Sequence, residues 1–151
     1  MTGFETDLLS GLIHQKYDCL TQLRDMGRKQ LELVRDGSMS DLLDLLSTKQ
    51  RVLLEIQRIE RQLDPFRNQD PDKRPWSSGD ARQRCAQELA QCELLLGEIV
   101  VQEKQSEQAL IRRRDETAAQ LQGVHLASQA RGAYTSAVHE GYRQLDLTSD
   151  S

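Results

Sequence analysis

From Leu8 to Val34, apolar side chains return every three or four residues: Leu9, Ile13, Tyr17, Leu20, Leu23, Leu31 and Val34, with Gly27 on the same line. That period places them along one side of a helix and predicts helix one over about residues 6–36. Its end is marked by Arg35, Asp36 and Gly37, where glycine supplies a left-handed cap. Ser38, followed three residues later by Asp41, reads as a capping box, so a second helix begins at about residue 39. A turn this short makes the two helices antiparallel neighbours.

Helix two, about residues 39–64, has the sharpest pattern in the chain. Leu42, Leu45, Lys49, Val52, Ile56, Ile59, Leu63 and Phe66 alternate steps of three and four, which is a heptad seam. Lys49 is the polar member of that seam. Its stem can cross the seam while the ammonium reaches water; alternatively it pairs with a buried acid or fixes the register. All three prolines then fall between Asp64 and Trp76, so residues 65–79 form a connector that cannot continue the helix. Trp76 reads either as an end cap on the bundle or as a partner contact.

Helix three is expected over about residues 80–122. Its stripe is Cys85, Leu89, Cys92, Leu96, Ile99, Glu103, Ser106, Leu110, Arg113, Thr117 and Leu121, apolar in the first half and polar in the second. Length offers a reason. Helix two, at about 24 residues, rises about 36 Å, whereas about 43 residues of helix three rise about 65 Å. Its partners should therefore end near Glu103, and the rest should overhang. In the tail, residues 123–151, Val124, Tyr134, Val138, Tyr142 and Leu145 share one side, but Gly132 and Gly141 each cost about 1 kcal/mol relative to alanine. A mobile tail is the expectation. The whole reads as one all-α domain, an antiparallel bundle or coiled coil of three long helices with a flexible C-terminal segment.

Composition supports this picture. Of 151 residues, 37% are hydrophobic but only 4% aromatic, so a core must be built from Leu, Ile, Val and Ala; 29% are charged and coat the remainder. The net charge of −4 leaves no basic surplus for phosphate, which argues against nucleic acid. No run approaches the roughly 20 apolar residues of a membrane span, and no basic segment leads into an apolar core at the N-terminus. These features predict a cytoplasmic protein without membrane insertion. The three cysteines, Cys19, Cys85 and Cys92, match no metal or redox spacing and read as free thiols.

Catalytic chemistry is hard to find. His139-Glu140-Gly141-Tyr142-Arg143 begins like a zinc-protease motif but has Arg where the second histidine must stand. The histidines are scattered, no Ser or Cys has a nearby His that would imply an activated nucleophile, and no glycine-rich phosphate loop exists. Arg112, Arg113 and Arg114 run directly into Asp115 and Glu116, a self-compensated helix face. No enzyme and no cofactor are expected, and function must come from surfaces.

Three segments resemble the flagellar type III export chaperones of the FlgN type. Leu42-Leu43-Asp44-Leu45-Leu46-Ser47-Thr48-Lys49-Gln50-Arg51-Val52-Leu53-Leu54 is similar to the family's second helix, where a Lys precedes a Leu-Leu pair. Leu94-Leu95-Leu96-Gly97-Glu98, with Gln108-Ala109-Leu110, is similar to its third helix, and Ala133-Tyr134 resembles the tyrosine of its flexible C-terminal segment. The chain departs from the family at Cys92 and Ser106, where asparagines are common, and at Thr135, where a glycine is common. The resemblance implies a chaperone that binds the C-terminal helix of flagellar hook-filament junction proteins (the hook-associated proteins) and delivers them to the cytoplasmic domain of the export gate. On that reading Ile99, Leu110, Leu121, Val124, Tyr134 and Tyr142 are the candidate client-binding residues, with bundle core as the ordinary alternative for each. The other readings are a coiled-coil homo-oligomer or adaptor, and a chaperone for a different secreted client.

Overall fold

The computed structural model describes residues 3–69 and 73–149, with side chains as far as residue 140. The chain is all-α. Helix α1 spans Gly3–Asp36, α2 spans Met39–Leu63 and closes in a 3₁₀ turn at Asp64–Phe66, and α3 spans Gly79–Ser149. Among the described residues no helix is long and apolar enough to cross a membrane. Two compact units are distinguished, residues 1–110 and residues 111–151.

The α1–α2 turn follows from Gly37, whose φ of 74° is open to glycine without strain. Its N–H donates to Val34 O (3.2 Å) and the Ser38 N–H donates to Leu33 O (3.0 Å), a Schellman closure of α1. Ser38 occupies the cap position of α2, but its side chain makes no capping bond, contrary to the expected capping box. The same residue already closes α1 through its N–H, which holds its backbone away from the usual cap geometry. At α3 the cap does form: the Ala81 N–H donates to Ser78 Oγ at 3.0 Å.

Residues 1–110 pack around three apolar clusters in sequence along the helices. The first joins Leu9, Leu12, Ile13 and Cys19 of α1 to Ile59, Leu63, Phe66 and Cys85, with Trp76 packed against its edge. Trp76 therefore caps the bundle from the connector, whose Arg74 Nη2 donates to Phe66 O (2.7 Å). The second gathers Leu20, Leu23, Cys92 and Leu95, with Ile99 against them. The third, Leu33, Val34 and Leu42, takes Ala109 from α3. All three thiols are buried, and burial raises each of their pKa values.

Two expectations for α3 need correction. Its partners do not end near Glu103, because Ser106 is buried and Ala109 still packs on the third cluster; α1 is long enough to reach that level. Nor does a helix end at Gln122, since α3 continues through Gly123 and Gly132 to Ser149. Single glycines weaken a helix without breaking it, and this segment contains no proline.

Ile59 is fully buried in the first cluster, and Ile59→Ala should lower unfolding stability by roughly 2–5 kcal/mol. Urea denaturation of the full chain measures it; a loss well under that range would mean that the cluster closes over the gap.

Candidate functional site

Between the second and third clusters the core turns polar. Lys49 of α2 is buried, and its Nζ donates to Gln30 Oε1 of α1 at 2.9 Å and pairs with the Glu103 carboxylate of α3. Burial pushes the Lys49 ammonium below its ordinary pKa. Two of the expectations need correction: the ammonium does not reach water alone, and its acid is not buried, since the Glu103 side chain is 46% exposed against 10% for Lys49. One carboxylate therefore faces the ammonium while remaining hydrated, which avoids desolvating both charges.

Beside this pair, Gln102 Nε2 donates to Arg24 O (3.0 Å) across the gap to α1. It lies over Gly27, where a Cβ would run into the Gln102 carboxamide. The glycine on the stripe of α1 is thus a notch for a polar side chain. Gln102 Oε1 and Ser106 Oγ are buried there without a protein partner. Nearer the other end, His14 Nδ1 donates to Glu88 Oε1 at 2.9 Å, and Asp18 lies 3.5 Å from the ring. The bond to Glu88 and the two carboxylate charges raise the His14 pKa from 6.5.

These contacts settle which side of α3 faces inward. Glu88, Leu95, Gln102 and Ala109 turn toward the bundle, whereas Leu89, Leu96 and Leu110 are at least 41% exposed. The expected stripe used Leu89, Leu96, Glu103 and Leu110, so it was displaced by one residue at alternate positions. The displaced leucines stand at seven-residue steps on either side of Glu103, while Leu46 and Leu53 flank Lys49 on α2, also partly exposed. An apolar margin consequently accompanies the ion pair.

The candidate client-binding residues separate into two groups. Ile99 packs on the second cluster and serves the bundle, because the heptad step from Cys92 carries it onto the buried side. Leu110 is half exposed at the end of the first unit; Leu121, Val124 and Tyr134 are exposed on the second. The side chain of Tyr142 lies outside the described residues. Leu126 and Val138 are exposed in the same segment and join the set; sequence reading listed Val138 on the tail's line but passed over Leu126.

On residues 117–140, taken alone, the helix is amphipathic, with Gln120 and Arg131 toward one edge of its apolar side. Ala119, Gly123, Leu126, Ala130, Ala133 and Ala137 follow each other at steps of four and three, with Val124, Ala127, Tyr134 and Val138 beside them. At 3.6 residues per turn these cover about half the circumference. Gln122, His125, Ser128, Gln129, Ser136 and His139 hold the other half, with Leu121 among them. Apart from the half-buried Arg113, every side chain from Ile111 to Glu140 is exposed. Among the described residues, no group of His, Cys, Asp and Glu is placed to hold a metal ion.

No protein-family profile, curated protein or solved structure matches this chain.

The polar layer makes an asymmetric prediction. Glu103→Ala leaves a buried ammonium without its counter-charge and should cost roughly 1–3 kcal/mol. Lys49→Met removes the desolvated charge while leaving Glu103 in water, so it should cost less or raise stability. Urea denaturation of the two variants compares them, and a larger loss for Lys49→Met would show that the pair is net stabilising. For His14, the raised folded-state pKa means that its contribution is complete below pH 6.5 and is lost as pH rises through the folded value. Thermal unfolding between pH 5 and 8 should show a small decline that His14→Gln removes; an unchanged slope in the variant would assign the decline to other groups.

Proposed function

We propose that this chain is a cytoplasmic, non-enzymatic export chaperone of the FlgN type. It holds the amphipathic C-terminal helix of a flagellar hook-filament junction protein and presents it to the export gate. The observation that carries the reading is the uncovered apolar half of residues 111–140, with Val124, Leu126 and Tyr134 each more than half exposed. Helix-against-helix recognition suits such a face, since an amphipathic partner buries its own apolar side there. The resemblance of residues 42–54 and of Ala133-Tyr134 to that family supplies the client class. Tyr134 takes part either in the client surface or in docking at the gate.

The test is calorimetry of the full chain against peptides from the C-terminal helices of hook-associated proteins. Val124→Ser with Leu126→Ser should weaken binding by about tenfold or more, given the apolar burial lost, without changing the melting of the bundle. Equal affinity for both proteins would move the client surface onto residues 1–110. No binding to either would remove the chaperone reading.

A further inference from the structure

The apolar half of residues 111–140 also has a partner that needs no client. We infer that, in the free protein, this face is covered by the same segment of a second copy, laid antiparallel about the Gly123–Val124 peptide. The charges choose both the partner and the direction. From Thr117 to Ala130 no residue carries a formal charge, so the centre imposes no electrostatic register and the flanking charges set it. Glu116 and Arg131 stand fifteen residues apart, little more than four helical turns, and so share one face. Both are exposed.

Antiparallel pairing about the Gly123–Val124 peptide sets Glu116 of each copy level with Arg131 of the other, twice by symmetry. Parallel pairing in register does the reverse: Glu116 meets Glu116, Arg131 meets Arg131, and the run Arg112–Arg114 meets itself. Like charges across a helix pair are unfavourable and select against that arrangement. Gly123, next to the axis, has open space where a Cβ would stand, and with Ala119 and Ala127 near it the two backbones can approach closely. The overlap of residues 112–135 is about 36 Å long, enough for a continuous helix pair. The inference goes beyond the chaperone reading: a client helix would compete with the second copy for one face, but the dimer stands without any client.

Sedimentation equilibrium of the full chain, without peptide, tests it. A monomer–dimer equilibrium is expected, weakened about tenfold by Arg131→Glu or by Glu116→Arg, each of which makes two like-charge contacts. The double reversal should restore association to near the original strength, since opposite charges again face each other. Circular dichroism of each variant checks that the helices are retained. A wild-type chain that stays monomeric at every concentration overturns the inference, and so does a double reversal no stronger than the single ones. A monomer that binds hook-associated peptides sinks the dimer and keeps the chaperone; a dimer indifferent to those peptides does the opposite.

Discussion

A helix of 71 residues has been given neighbours of 34 and 25, and most of the molecule's character follows from that inequality. Three helices cover each other only while all three run together. The bundle's last shared level is that of Leu33, Val34, Leu42 and Ala109, and α3 has used less than half of its length there. What remains must be polar all round, or carry an apolar side that another chain covers. Residues 111–140 are not polar all round, since Val124, Leu126, Tyr134 and Val138 stand exposed along one side. The inequality thus separates the protein into a unit that stabilises itself and one that offers surface.

Within the self-stabilising unit, the layer of Gln30, Lys49, Gln102 and Glu103 desolvates an ammonium and ties α3 to one level of α1 and α2. Ordinary apolar residues there would bury more surface and desolvate no charge. They would also favour one level of α3 less strongly, because Cys85, Cys92 and Ile99 are all apolar at seven-residue steps. A lysine that finds Gln30 on one side and Glu103 on the other has a single satisfactory level. The Gly27 notch, filled by Gln102, fixes that level again from α1. Register matters because it decides where the bundle ends, and therefore how much of α3 is left uncovered.

Much of this architecture can be read from the chain. Gly37 announces the tight turn, the three-four alternation from Leu42 to Phe66 gives the seam of α2, and the prolines between Asp64 and Trp76 mark the connector. Which flank of α3 turns inward could not be read, because Leu89 and Leu96 are as apolar as Leu95, and the inward row includes Glu88 and Gln102. Polar residues win those places through particular partners on α1, His14 for Glu88 and the Arg24 carbonyl above Gly27 for Gln102. Periodicity weighs hydrophobicity alone and cannot anticipate such bonds. The polar turn of the seam at Glu103 and Ser106 was legible as a fact, yet its cause is a buried polar layer and not the loss of neighbours. The helix beyond Gln122 was missed because glycines were weighed against it while its alanines were not credited.

Those alanines bear on how residues 111–140 can act. Alanine has the highest helix propensity, so a segment rich in it is ordered as a helix at less cost than one built from β-branched residues. A partner helix then meets a surface that is already formed and loses less to ordering on binding. The other side of the choice is modest area: alanine methyls bury little, and at about 25 cal/mol per Å² the affinity rests mainly on Val124, Leu126, Tyr134 and Val138. Small central residues with a few larger ones around them give an interface that closes tightly but can be reopened. That balance suits a surface whose occupant can leave again.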